Sequence, residues 1–314
     1  MNEQKIIRAV VPEAAAGMRL DKVLPKLFQP YSRSQLQLWL REGLLTLEGF
    51  VPSQRQIMRG GEHLALMVPE PKDSTWKPQF LELKIVYEDN DIVVIDKPAG
   101  LVVHPGAGNP DATLANAILY RYPETSILPR AGIVHRLDKE TTGLLMIARN
   151  ESSRQRLIAN LEARSVNREY LALVYGRVVA GGTINRPIGR HPKDRLRMAV
   201  SEKGKDAVTH FRVECRYSYH TLLRIKLETG RTHQIRVHLA DSGLPLIGDP
   251  LYGGRLRTPP GADCEMLTTL RKFKRQALHA TALSIVHPAS GDKLHWVSEL
   301  PEDFSRLIEV VKRA

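Results

Sequence analysis

One stretch concentrates side chains able to do chemistry: His135-Arg136-Leu137-Asp138-Lys139-Glu140-Thr141-Thr142-Gly143. In it a carboxylate, Asp138, is flanked by two cations, Arg136 and Lys139, and followed by two hydroxyls, Thr141 and Thr142. Cations stabilise a negative charge and hydroxyls can donate to it, so the pattern suits a charged, oriented carboxylate. It equally suits an aspartate that caps its own turn, and residue types alone leave both readings open. Apolar runs bracket the stretch. Ile133-Val134 reads as a short buried strand after a Pro/Gly-marked turn at 129–132, and Leu144 to Ala148 as a second apolar segment. Asp138 is thus expected in an exposed polar loop between two buried segments.

Other chemistries fail on spacing. His233 and His238 are five apart, about 140° around a helix and on opposite faces of a strand, so both rings cannot meet one ion. With no Cys pair and no His-Glu-x-x-His, no metal site is expected. The histidines read instead as polar neighbours of a ligand-facing surface. Gly106-Ala107-Gly108-Asn109-Pro110-Asp111 precedes a helical pattern at 113–122, but Asp111 stands where a dinucleotide loop needs its third glycine, and no P-loop lysine follows. No serine nucleophile elbow is present.

The 314 residues suffice for one large or two ordinary domains, and 42% hydrophobic with 25% charged residues is normal for a globular protein. A formal charge of +12 and a pI near 9.8 raise the odds of a polyanionic partner, nucleic acid first. The basic residues accompany no sustained apolar span, which weighs against a membrane. The start has no apolar region after a basic one, and two cysteines in a chain this size read as free thiols in a reducing compartment. A cytoplasmic protein is expected.

Three segments are expected: a first module at 1–68, a linker at 69–79 and a large second module at 80–314. In the first, Met18 to Phe28 and Arg33 to Glu42 carry helical patterns, with Pro25 expected to kink or stop the former and Gly43 to end the latter. Strands are expected at 44–47 and 62–68, with a turn at Glu48-Gly49. Three prolines and few apolar residues mark the linker. The second module opens with a hairpin around Glu88 to Asp91, carries a helix at 151–164, and later a half-buried strand at 220–227 and a helix at 232–242. Pro187 to Val200 holds Arg190, Lys193, Arg195 and Arg197 against the single acid Asp194, which suits a grip on a phosphate backbone. Strands and helices interleave without a strict βαβ rhythm, so the fold class is α+β.

The stretch at 135–143 resembles the signature His-Arg-Leu-Asp-x-x-Thr-Ser/Thr-Gly of the RluA-type pseudouridine synthases. Arg168-Glu169-Tyr170 resembles that family's second motif, and Thr229-Gly230-Arg231-Thr232-His233-Gln234-Ile235-Arg236 its third; the likeness runs in order from about Leu83 to Trp296. It implies a mixed, mostly antiparallel central sheet with a catalytic cleft, and isomerisation of uridine to pseudouridine in large-subunit ribosomal RNA without metal or cofactor. It implies Asp138 as the catalytic carboxylate, Arg236 as its ion-pair partner, and Tyr170 as the ring that stacks on the target base. Arg136 would fill the place the flipped base vacates, with Arg231 and His135 at the RNA. The first module resembles the small α/β RNA-binding domain shared by a small-subunit ribosomal protein and tyrosyl-tRNA synthetase. Its implied phosphate contacts are Arg19, Lys22, Arg33 and Arg41. The expected partner is large-subunit rRNA or its precursor particle, the expected target the stem-loop that bridges the subunits, and the expected state a monomer. The rival is a non-catalytic rRNA-binding or assembly factor, which would have no need of Asp138, Tyr170 and Arg236 together. A hydrolase or glycosylase would want a second acid, for which Glu140 is the nearest candidate.

Overall fold

The computed structural model describes residues 6–29, 31, 33–69, 76–106, 108–194 and 196–313. The chain divides into two compact units, Met1–Asp73 and Ser74–Ala314. Of the expected linker, residues 70–75 lie outside the described residues.

In the first unit, strand β1 (Ile6–Val10) precedes helices α1 (Leu20–Leu27) and α2 (Arg33–Arg41) and strands β2 (Leu45–Leu47) and β3 (His63–Met67). The strands form an antiparallel sheet in the order β1-β3-β2. Leu20, Val23 and Leu24 on one face of α1 and Leu36 and Leu40 on α2 bury against Leu45, Leu64 and Leu66, the spacing that makes an amphipathic helix pay its way only when packed. Pro25 sits inside α1 without breaking it; the helix ends two residues later. Glu48 and Gly49 both have positive φ, 48° and 85°, and Leu47 and Phe50 exchange two backbone hydrogen bonds across them. The result is a tight two-residue turn at the end of β2.

The second unit is built on a nine-stranded sheet. Its strands are β4 (Lys84–Glu88), β5 (Ile92–Lys97), β6 (Thr142–Ala148), β7 (Asn167–Tyr175), β8 (Gly182–Asn185), β11 (Val208–Arg216), β12 (His220–Leu227), β13 (Leu278–Val286) and β14 (Lys293–Val297). A separate hairpin joins β9 (Ile188–Arg190) to β10 (Met198–Val200). The sheet order is β4-β5-β6-β13-β7-β12-β11-β8, with β14 also on β13. Only the β6–β13 pair is parallel, so the sheet is mixed and mostly antiparallel, in an α+β fold. Helices α3 (Leu114–Arg121) and α5 (Gln234–Asp241) contribute to the core on one face, with Val93, Ile95, Leu145 and Ile147. Helix α4 (Glu151–Glu162) supplies Leu157 to a second cluster with Ile92, Val94, Leu144 and Met146. Helices α6 (Cys264–Lys272) and α7 (Glu302–Lys312) pack their apolar faces on Leu171 and Leu173 of β7. With both faces covered, β5 and β6 are unbroken apolar runs rather than alternating ones.

Three expectations change. Ile133-Val134 is no strand: Ile133 makes a single bridge to Ile147 after a helical turn in which Arg130 and Ala131 have φ of 58° and 52°. The basic stretch at 187–200 carries strands that its sequence pattern does not announce, the β9–β10 hairpin. Helix α5 begins at Gln234, because His233 before it is left-handed at φ 57°. Both cysteines are free and exposed. Among the described residues, no helix is long and apolar enough to cross a membrane.

Candidate active site

Gly143 decides where the 135–143 loop ends. Its φ is 108°, and a Cβ there would sit 2.2 Å from the Ala280 carbonyl oxygen, so only glycine lets β6 approach β13 this closely. Thr141 and Thr142 are anchors. Gln276 Nε2 donates to Thr141 Oγ1 at 2.9 Å, and Thr142 Oγ1 lies 2.8 Å from His279 Nδ1. These bonds to β13 and its approach replace the expected one, in which the hydroxyls orient Asp138. Below the loop, the fully buried Lys97 donates to the carbonyls of Pro98, Leu101 and Lys139 at 2.8, 3.0 and 2.9 Å. Burial draws its pKa down to about 7, against the pull of Glu140 and Asp138. Three carbonyls match the three donors of an ammonium.

His135 also turns inward. Its Nε2 accepts the Met146 backbone N–H at 3.0 Å, and burial, with Arg168 nearby, pushes its pKa to about 3. It is a neutral ring that ties the start of the loop to β6 while also lining the cleft.

Asp138 is only 15% exposed, not a free loop carboxylate. Arg236 Nη1 from α5 donates to its Oδ2 at 3.0 Å. The remaining edge of the same guanidinium grips Asp249 through Nε at 2.7 Å and Nη2 at 2.8 Å. Asp249 Oδ1 further accepts from the amides of Leu251 and Tyr252. Burial opposes the Asp249 charge, but Arg236 and these amides outweigh it and hold its pKa below the usual carboxylate value. Burial likewise works against the Arg236 charge and the two carboxylates overcome it, raising its pKa. Tyr252 accepts from Met198 N at 2.8 Å, and its hydroxyl hydrogen-bonds His233 Nδ1 at 2.9 Å. His233 Nε2 lies 3.9 Å from Asp138 Oδ1. His238, five residues on, bonds Thr209 and the Arg186 carbonyl instead. It is buried, a correction to its reading as a surface residue.

These groups open on a cleft of about 880 Å³, whose walls include Asp138, Tyr170, Arg136, Arg231 and His104. That volume is in the range of a small-ligand site, though open. Tyr170 is buried on β7, and burial raises its pKa, keeping the phenol protonated. Arg136 is exposed at the cleft, while Arg231 Nε donates to the Asp206 carbonyl. Gln234 braces the loop before α5 through Thr229, Arg231 N and Val208 O. His104 tilts against Trp76 at 5.8 Å; burial, then Arg130 and Arg136, push its pKa to about 4.

The remaining candidates lie outside the cleft walls. Arg190 and Lys193 are exposed on the β9–β10 hairpin, and Arg197 pairs with Asp194 at 3.4 Å while lying 5.9 Å from the Tyr252 ring. Arg195 lies outside the described residues. In the first unit, Arg19 and Arg33 both hold the buried Asp21, at 3.0 and 2.7 Å, so their charges are partly spoken for; Arg41 is exposed at the end of α2. Asp249, Tyr252 and Lys97 are the functional neighbours that sequence reading missed. Only turn chemistry flags the first two, which sit between Gly248 and Gly254. Among the described residues, Asp89, Asp91 and His287 bring possible metal-ligand atoms within 4.8 Å. Tyr87, Asn150 and Ser153 already hydrogen-bond these carboxylates, which ties β4, β5 and α4 together.

A carboxylate paired with a fixed guanidinium, beside a protonated phenol in a basic cleft, suits work on a sugar or base of a polyanion. A family model described as RNA pseudouridylate synthase matches residues 91–241. The chain is 50% identical over 310 residues to ribosomal large subunit pseudouridine synthase D of Xanthomonas campestris, covering 99% of this chain and 94% of that one. It belongs to the RNA pseudouridylate synthase family. The Pseudomonas aeruginosa protein of the same name is 52% identical over 305 residues, covering 97% of this chain and 95% of its own. Among solved structures, human RNA pseudouridylate synthase domain containing 4 superposes with a TM-score of 0.57 at 26% identity, over 73% of this chain and 92% of that one. The chain is accordingly an RNA pseudouridine synthase with the fold of that family.

Proposed function

We propose that this pseudouridine synthase isomerises uridine in large-subunit ribosomal RNA, in the stem-loop that bridges the subunits, acting as a monomer in the cytoplasm. The observation that carries the chemistry is the buried relay Asp138–Arg236–Asp249 at the cleft. The N1–C1′ bond of the uridine breaks, the base turns in place, C5 bonds to C1′, and the C5 proton leaves while N1 gains one. Asp138 meets the ribose in its charged form, either attacking C1′ or taking the C2′ proton. Arg236 keeps that carboxylate aimed, and Asp249 keeps Arg236 aimed. Tyr170 stacks on the base and its hydroxyl assists loss of the C5 proton. Arg136, exposed beside the loop, occupies the gap left when the uridine leaves its helix.

Arg231 and the β9–β10 cations Arg190, Lys193 and Arg197 hold phosphates around the cleft, Arg195 joins them on the strength of its sequence position alone, and the first unit adds a second grip through Arg41 with Arg19 and Arg33. The names of the curated relatives support the ribosomal substrate. The test is to map pseudouridines in rRNA from cells with and without this gene. Loss of those in the bridging stem-loop supports the reading; their persistence, with loss at another site, overturns the target.

A further inference from the structure

We infer that Arg168 is the receptor for a backbone phosphate flanking the uridine being isomerised, a binding role that rests on the reading just given. Alternation along β7 puts Arg168 and Tyr170 on one face and Glu169 on the other, where it meets Arg224 at 3.4 Å. Arg168 is 7% exposed and lines the cleft with Tyr170 and Asp138. Yet its Nε is buried without a hydrogen-bond partner, and among the described residues no carboxylate or carbonyl receives its guanidinium. The other buried arginines are satisfied: Arg236 by Asp138 and Asp249, Arg275 by both oxygens of Asp303.

A buried cation with no partner is costly, so its partner arrives with the ligand. Gly230 keeps that approach clear, since a Cβ there would stand 3.0 Å from Arg168 Nη1. In a uridine nucleotide only the phosphodiester carries a full negative charge before any bond breaks; the uracil carbonyls are neutral until the base departs. A forked guanidinium also suits two phosphate oxygens. Since the receptor lies beside Tyr170 inside the cleft, it engages a nucleotide that has already left its helix.

The experiment uses the full chain and a synthetic stem-loop RNA in two forms, with ordinary linkages or with an uncharged methylphosphonate at either linkage flanking the target. With ordinary RNA, Arg168→Met is expected to weaken binding by roughly tenfold or more and to lower the salt slope of binding by about one unit. The single-turnover rate at saturating RNA should stay within about threefold, and Arg168→Lys should retain most of the affinity. On one methylphosphonate RNA, Arg168→Met should cost nothing further, because the interaction is already gone. Equal losses on charged and uncharged linkages overturn the proposal. So does unchanged affinity with a hundredfold drop in saturated rate, which would aim the charge at the base. Arg168→Met should melt no lower than wild type, having lost an unpaired buried charge; a clear fall would reveal a partner within the protein and equally overturn it. Binding is read without turnover, so a wild-type protein that binds but isomerises nothing would sink the proposed function and still test this site.

Discussion

Arg236 stands between two carboxylates with different tasks: Asp138 faces the cleft, and Asp249 is sealed behind it. Asp138→Asn leaves Arg236 its pair with Asp249, so the stability cost is expected to be only about 1–2 kcal/mol. Isomerisation should fall on the order of a thousandfold or more, while RNA binding, carried by phosphate contacts elsewhere, changes little. A folded Asn variant converting uridine at near the wild-type rate would remove Asp138 from the mechanism. Asp249→Asn acts from behind. Breaking one side of a buried pair is expected to cost about 3 kcal/mol at neutral pH in a denaturant melt and to lower the rate without touching substrate. Since folding lowers the Asp249 pKa from its usual 3.8, its contribution is present above that value and lost as pH falls through the folded one. The stability gap between wild type and variant should therefore begin to close only as pH falls below about 4.

At the scale of elements, the catalytic loop is a splice between sheet strands. Gly143→Ala would drive a methyl group into the Ala280 carbonyl and force a left-handed φ on a residue with a side chain. It is expected to cost about 3 kcal/mol or more and to displace Asp138, which melting curves and activity would both report. The other end of the loop is sensitive to acid. Folding lowers the His135 pKa from its ordinary 6.5 to about 3, so the unfolded chain binds a proton there that the folded one refuses. Stability from this ring is full above pH 6.5 and declines as pH falls toward 3, by at most about 1.4 kcal/mol per pH unit. His135→Gln keeps an acceptor for the Met146 N–H without the titration. Its denaturant midpoint is expected to fall less between pH 7 and pH 5 than that of the wild type.

At the scale of the whole molecule, the chain folds as two compact units, Met1–Asp73 and Ser74–Ala314. Removing residues 1–75 is expected to weaken rRNA binding and to reduce its salt slope by at least about one unit, with turnover on a short RNA retained. Identical affinity and slope in the truncated protein would deny the first unit a part in the grip. The effect should be smaller than a count of its arginines suggests, because Arg19 and Arg33 share Asp21.

Much was legible in linear order. The apolar runs at 92–95 and 144–148, the helix at 151 onward and the turn at 48–49 follow from local pattern and turn chemistry, and the three motifs together pointed to Asp138, Tyr170 and Arg236. That Asp138 and Arg236, far apart in the chain, would meet at 3.0 Å was legible only through that resemblance. Periodicity reports which face a side chain takes, and nothing about what waits on that face. The tertiary structure therefore decided the rest: that Thr141 and Thr142 anchor to β13's approach and first residues instead of serving Asp138, and that His135 braces β6. It also decided that Asp249 backs Arg236 and that Arg168 Nε is buried with no hydrogen-bond partner among the described residues. Each depends on strands brought together from distant parts of the chain, where burial turns an ordinary polar residue into one that must be satisfied.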